Sequence, residues 1–360
     1  MQLSRRDTLR AGGGLVAGAG YAATTGPLLA TSATVATQNL GLGVPLLDLL
    51  TQERLDPALV GERFARLAAS PVSERMAVLA AELTAESPAI IGVQEGALVE
   101  RDGEPVFDFL SLFERGVAEA GGEYRRVAVS PNADITLPAA HDGEEFDVRF
   151  HDRDALFVRE DVAVEATDAQ QFTVNASRRL DGRRLVATRG FCRADCFVDG
   201  VPVVGISTHL SAADRRIRYV QAQALANQLP EERALVLLAD LNSRPLAEDP
   251  SAYSLLAGQL TDAAAATGEP GFTCCRDPTL DGGGLGFRLD FVLTGGPARP
   301  LGTRLTAVDD AARVQAGDQR LWPSDHAGVV ADLRVGVEPG RLGDVARALV
   351  AQALGTDPFA

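Results

Sequence analysis

The chain contains no lysine; all 34 of its basic residues are arginine. Two readings fit that absence: codon bias, or an acidic surface kept hydrated in high salt, where charge repulsion is screened. Asp and Glu number 49, which leaves a net charge of -15. That excess argues against loose, charge-driven binding to DNA, though not against a local basic groove. Aromatic residues make up only 5% of the chain, and no exposed aromatic hairpin for membrane insertion is evident. No long apolar run occurs beyond the N-terminus, so the body of the protein is expected to be soluble. The four cysteines (192, 196, 274 and 275) and four histidines show no zinc spacing. No internal repeat and no interdomain linker is present.

What is present suffices for a large core: 360 residues, 46% of them hydrophobic. The N-terminus pairs Arg5 with Arg6 ahead of a Gly/Ala-rich uncharged run to about Ala30. This looks like a twin-arginine export signal, with Ala30–Ala33 as a small-residue cleavage region. The expected division is signal 1–33, one catalytic domain 34–336, and a helical tail 337–360 with a helix over about 342–354. No nearby cysteine offers a lipid anchor. Export permits disulfides. Cys192 and Cys196 fall about 13 Å apart on one strand, too far to bond. Vicinal Cys274 and Cys275 are strained partners, so any bridge is expected to join one pair to the other.

Strands are expected at 34–40, 89–94, 155–158, 234–239, 289–294 and 328–335, with a hairpin of 185–198 and 201–208 about Asp199-Gly200. Helices are expected near 62–69, at 75–86, 106–120 and 215–229. The polar stretch 131–151 reads as loop. Hairpins mixed with helical crossovers predict an α/β fold with mixed sheets.

Polar residues stand at the ends of these apolar strands. Asn39 ends the first; Glu95 ends AIIGVQE; His209 ends VVGISTHL. Asp240 and Asn242 end ALVLLADLN, Asp290 opens DFVLT, and Ser324-Asp325-His326 precedes the last strand. Each has a bland alternative, such as an Asx turn at Asp240 or a structural role for His209. Clefts of layered α/β folds lie at strand ends, and carboxylates and amides gathered there suit an oxygen-liking cation.

The ordered set, GVQE, STHL, LLADLNSRP, RLDFVL and SDHAGV after Asn39, resembles the endonuclease/exonuclease/phosphatase superfamily over residues 39 to 326. The resemblance implies a four-layer α/β/β/α sandwich of two packed mixed sheets and a divalent-metal-dependent phosphoesterase using Mg²⁺ or Mn²⁺. It implies metal binding by Glu95, with Asn39 supporting metal and phosphate and Asp325 near the metal. Asp240 and Asn242 match the pair that positions attacking water and a phosphate oxygen. Asp290 matches the carboxylate orienting the final histidine, His326. His209 matches the histidine of the sphingomyelinase and deoxyribonuclease branches. Phosphodiester hydrolysis needs charge neutralised on non-bridging oxygens, an oriented water and help for the leaving oxygen; either Asp240 or a histidine can act as base.

The leading expectation is an exported, monomeric phosphodiesterase of nucleic acid, with no obligate protein partner. Alternatives are a lipid-headgroup phosphodiesterase, a small-molecule phosphatase and a non-catalytic module on the same fold. A groove including Arg178, Arg179, Arg183 and Arg184 would favour nucleic acid. Asp154 is expected in a turn or salt bridge, with substrate contact as the alternative. Trp322 is read as a wall of the site or a packing residue. Arg218 and Gln221 are expected to brace the His209 loop. The eight strand-end residues should converge on one cleft, with Asp290 in hydrogen-bond reach of His326.

Overall fold

The computed structural model describes residues 30–44, 54–230, 232–246, 250–268 and 271–337. Residues 1–29 of the expected export signal and the expected helix at 342–354 lie outside the described residues. β1 (Ala30–Asn39) takes in the small residues 30–33, four residues earlier than expected, because they pair with the end of the last strand. A crossover carrying α1 (Pro57–Ala68) and α2 (Val72–Ala85) leads to β2 (Ile90–Gln94), parallel to β1. Asp56 accepts from the Ala58 N–H, and Pro57 opens α1, where the first amides have no partner within the helix. β3 (Leu98–Arg101), β4 (Glu104–Asp108), α3 (Phe109–Glu119), β5 (Tyr124–His141), β6 (Glu144–Arg159) and β7 (Ala163–Gln171) follow. Next come β8 (Ala176–Leu180), β9 (Arg183–Ala187), β10 (Gly190–Val198), β11 (Val201–His209), α4 (Arg215–Ala226) and β12 (Ala234–Asp240). The chain continues with α5 (Ala252–Ala257), β13 (Thr261–Asp262), α6 (Ala263–Thr267) and β14 (Asp290–Gly295). β15 (Ala298–Thr306), β16 (Val314–Ala316), β17 (Gln319–Leu321) and β18 (Gly328–Gly336) complete it.

Two mixed sheets result. One orders its strands β15-β18-β1-β2-β6-β3-β4, with β5 also on β6; the other runs β13-β14-β12-β11-β10-β7. They pack face to face through Val35, Ile90, Leu156 and Val158 of the first and Cys192, Val203, Val236, Leu238 and Val292 of the second. Gly92 lets them touch: a Cβ there would lie 2.5 Å from the Leu238 Cβ. Helices α1–α3 cover the outside of the first sheet through Leu67, Met76, Leu79 and Phe113. Helices α4 and α5 cover the second through Ala222, Leu225 and Leu256. The expected α/β/β/α sandwich is therefore the fold. β2 and β12 are buried along their whole length, which explains their unbroken apolar runs.

Three expectations need correction. Residues 131–151 are not loop: they lie in the long β5–β6 hairpin, closed by Asp142-Gly143 with positive φ at both residues, the geometry a two-residue hairpin turn demands. Their inward residues Leu137, Ala139, Phe146, Val148 and Phe150 are buried. The helix expected from Val106 begins at Phe109, after β4, where Asp108 caps it by accepting from the Ser111 N–H. β9 pairs with β8 as a separate ribbon, so the Asp199-Gly200 hairpin starts at Gly190.

The cysteine pairing is also corrected. Cys274 and Cys275 form a vicinal disulfide, while Cys192 and Cys196 remain buried thiols. Both thiols belong to the packing between the sheets.

Candidate active site

The eight strand-end residues come from both sheets and meet at their common edge. Asn39, Glu95, Asp325 and His326 belong to the ends of β1, β2 and β18; His209, Asp240, Asn242 and Asp290 belong to β11, β12 and β14. β1 continues past Asn39 through a turn whose Gly41 N–H donates to Asn39 Oδ1 at 2.9 Å. The Asn39 amide donates within its own sheet to Glu95 Oε1 at 3.1 Å and across the gap between sheets to Asp240 Oδ2 at 3.0 Å. Glu95 Oε2 accepts from the Leu42 N–H at 3.1 Å. Glu95 takes a left-handed backbone, φ 55°, a strained state for a non-glycine residue that redirects its side chain at the strand end. Gly96 follows because a Cβ there would sit 2.4 Å from Leu110.

Asp240 is the buried centre. Its Oδ1 accepts from the Asn242 N–H at 2.9 Å, and its Oδ2 lies 3.4 Å from His209 Nε2 and 3.9 Å from His326 Nδ1. Burial, reinforced by the charge of Asp290, lifts its pKa to about 7. Asp290 lies 2.9 and 3.1 Å from His326 Nδ1, as expected. The two histidines diverge in protonation. Burial and the charges of Arg189 and His326 push His209 well below its ordinary value. For His326 burial acts downward, yet Asp290 outweighs it and holds the proton well above the usual range. His209 Nε2 sits 2.8 Å from the Asn242 amide nitrogen; accepting there assigns the ring proton to Nδ1, which has no protein partner.

Glu95 is raised by burial and then by the negative charge of Asp325. Two carboxylates held close at the cost of mutual repulsion fit a hard cation. Asp240, Asp290 and His326 also bring ligand atoms within 4.8 Å of one another. There His326 Nδ1 faces the Asp290 carboxylate at 2.9 and 3.1 Å, and a proton held on that nitrogen would keep it from ligating.

Several supporting residues escaped the sequence reading. Buried Gln94 spans the sheets, donating to Ser207 Oγ at 3.0 Å and the Leu238 carbonyl at 3.3 Å. Arg75, fully buried in α2, donates to the carbonyls of Gly41, Leu42 and Pro323; burial lowers its pKa to about 10. Arg276 donates to the carbonyls of Ser324, His326 and Ala307 and lies 4.0 Å over Trp322, so Trp322 braces the final loop. The N–H groups of Cys275 and Arg276 both reach the Asp325 carbonyl at 3.2 Å, which sets the disulfide directly against that loop. Gln221 Oε1 accepts from the Ser211 N–H and Arg218 donates to the Ser211 carbonyl, the expected bracing. Asp154 is in neither a turn nor a salt bridge: it lies buried in β6, both oxygens without a hydrogen bond, and burial followed by Asp152 keeps it protonated well above the usual range. Arg189 pairs with Asp152 beside it.

The fold and this edge define a phosphoesterase-type hydrolase. The sequence matches the model of the Endonuclease/Exonuclease/phosphatase family over residues 36–326, and the chain belongs to that family. Similar solved structures include a family member from Bacteroides thetaiotaomicron (16% identity, 86% of this chain and 99% of that one, TM-score 0.56). A mannosyl-6-phosphatase from Bacteroides thetaiotaomicron VPI-5482 shares 18% identity over 84% of this chain and 99% of that one (TM-score 0.55). A family protein from Beutenbergia cavernae shares 18% over 86% and 72% (TM-score 0.54). At these identities the likeness is one of fold. No curated protein matches the sequence.

Proposed function

We propose that this protein is a divalent-metal-dependent phosphodiesterase that hydrolyses nucleic acid after export by the twin-arginine route. The observation that carries the reading is the state of Asp240, a buried carboxylate lifted to about 7 between a neutral His209 and a protonated His326. Asp240 is poised to take a proton from water at neutral pH, where a general base works best. Asn39 donates to the same Oδ2 that faces the histidines, and Asn242 fixes His209 beside it. His326, tied at Nδ1 to Asp290, has Nε2 left to donate to a phosphoryl oxygen, and its charge offsets the negative charge that grows there. Glu95 and Asp325 would hold Mg²⁺ or Mn²⁺; Asn39, whose oxygen already serves Gly41, braces Glu95. The bound cation supplies charge neutralisation on the phosphate and its leaving oxygen.

A diester suits this edge better than a monoester. Three arginines beside it are already engaged, Arg75 and Arg276 by carbonyls and Arg189 by Asp152. Arg244, two residues beyond Asn242 and 4.8 Å over the Phe287 ring, has no carboxylate partner among the described residues, so a dianionic monoester would find one arginine there rather than a cluster. A second reading, a lipid phosphodiester, is favoured by exposed Leu246, Phe272 and Phe287 on the loops that follow Asn242 and precede Asp290. The test is a Mg²⁺-supplemented screen of oligonucleotides, bis(p-nitrophenyl) phosphate, phospholipid vesicles and p-nitrophenyl phosphate. Oligonucleotide and small-diester cleavage, abolished by chelator, is expected. Preference for the monoester, or full activity in excess chelator, overturns the reading.

A further inference from the structure

We propose that the β8–β9 ribbon is a docking arm for a nucleic-acid backbone, gripping phosphates away from the scissile one through Arg179, Arg183 and Arg184; this rests on the phosphodiesterase reading. The three arginines are exposed on a chain of net charge -15. Some surface arginines have carboxylate partners, as Arg149 has in Glu100 and Asp134 and Arg304 in Glu86 and Asp332; exposed Arg299 and Arg334, opposite each other on β15 and β18, have none among the described residues, but the ribbon gathers three such arginines within six residues. Arg179 and Arg183 make no hydrogen bond or ion pair with any described residue, and Arg184 reaches only the Ser177 hydroxyl at 3.4 Å.

Register sharpens the point. Arg179 stands directly opposite Arg184 across the ribbon, and like charges so opposed destabilise a strand pair. The ribbon does not need them to fold. Leu180 and Leu185 are buried in the core that α1 also packs into. The Asp181-Gly182 turn has positive φ at both residues, and Asp181 accepts from the Leu55 N–H at 2.9 Å. A polyanion seated on the outward pair removes the repulsion, and guanidinium groups match phosphate oxygens two at a time.

The arm is rooted at the reacting centre. Asn175 Oδ1, at the foot of β8, accepts from the Arg189 N–H at 2.9 Å and from the Gln221 amide at 3.2 Å. Gln221 in turn holds Ser211, two residues beyond His209. Four residues, three of them in β9, lie between Arg184 and Arg189, at most about 16 Å of extended chain, which suits phosphates flanking the cleavage point. The ribbon's two leucines are both buried. An arm built for an anionic membrane would expose apolar side chains beside its charges, so nucleic acid is the better fit.

The test uses the full chain in chelator, with binding of a labelled single-stranded oligonucleotide read by fluorescence anisotropy across a salt series. R179Q/R183Q/R184Q should weaken binding at least tenfold at low salt. It should also flatten the slope of log K against log salt by about 2, roughly 0.7 per lost phosphate contact. The same variant should hydrolyse bis(p-nitrophenyl) phosphate at the wild-type rate when Mg²⁺ is restored, and the triple Arg→Lys variant should recover most of the slope. An unchanged slope overturns the proposal. So does a parallel loss of small-diester hydrolysis, or a loss of binding to anionic phosphatidylglycerol vesicles alone. Should the glutamine variant fail to fold, a wild-type slope shallower than about -2 overturns it as well. A wild-type protein that cleaves neither diester with Mg²⁺ or Mn²⁺ instead rejects the phosphodiesterase reading, whatever the ribbon binds.

Discussion

Replacing Asp240 with Asn should abolish hydrolysis and, without metal, make the fold more stable in alkali. Asp240 rises from 3.8 to about 7 on folding, chiefly through burial. The folded state therefore binds this proton more tightly than the unfolded state. Stability falls as pH climbs from about 4 to about 7, and the full cost persists above. Three pKa units correspond to about 4 kcal/mol. Asn cannot ionise, and its amide oxygen can still accept from Asn39. A chain of 360 residues unfolds with an entropy of roughly 0.7 kcal/mol/K, so the variant should melt about 5 °C above wild type at high pH. Near pH 4 the two should melt together. Thermal melts in chelator across this range test the sign; Mg²⁺ should narrow the gap, because a cation favours the carboxylate. A constant offset at every pH, or a variant less stable in alkali, would refute the buried-carboxylate reasoning.

Further outcomes follow from neighbouring residues. Asp290→Asn removes the charge that outweighs burial at His326, so the alkaline limb of the pH–rate profile should move toward neutral pH and kcat fall about 100-fold. Wild type should exceed this variant in stability most below about pH 6.5, and lose that margin as pH passes the raised His326 value. Gly41 has φ 63°, and a Cβ there would lie 2.6 Å from Asp325 Oδ1 and Ser324 Oγ. Gly41→Ala should cost about 1–2 kcal/mol and weaken Mn²⁺ binding, read as a smaller metal-induced rise in Tm. Glu95→Gln should lose both that rise and hydrolysis while its metal-free melt survives; an unchanged rise would remove Glu95 from the metal site. Replacing Arg5 and Arg6 by Lys should trap the protein in the cytoplasm, and fractionation showing normal secretion would exclude the twin-arginine route.

The sheet cores were legible because doubly buried strands such as Ile90–Gln94 and Ala234–Asp240 carry unbroken apolar runs. The long β5–β6 hairpin was not, although its signal was present. Asp102-Gly103, Asp142-Gly143, Asp181-Gly182 and Asp199-Gly200 all close hairpins with positive φ at both residues. Only the last was read as a turn. Beyond Pro131 the β5–β6 strands expose one face, so charged and apolar residues alternate there and overall polarity imitated a loop. The vicinal disulfide escaped for a different reason: rejecting adjacent cysteines on strain alone ignored that a surrounding loop can impose the required backbone.

The site divides in the same way, and the division follows from its construction. Groups that perform chemistry interrupt apolar strand ends, so Asn39, Glu95, His209, Asp240, Asp290 and His326 stand out by residue type. Groups that hold them do not. Arg75 occupies a core-facing helical position, and Gln94 completes an apolar strand; nothing local marks either as polar braces between layers. Yet four of the eight strand-end residues come from each sheet, and the Asn39–Asp240 and Asp290–His326 contacts both cross between them. The reacting geometry is therefore a property of how the sheets pack. Gly92 against Leu238 sets their approach, and Gln94 ties them one residue below Glu95. A shift of one sheet by even half an ångström would lengthen both crossing contacts together while leaving each motif intact in the sequence.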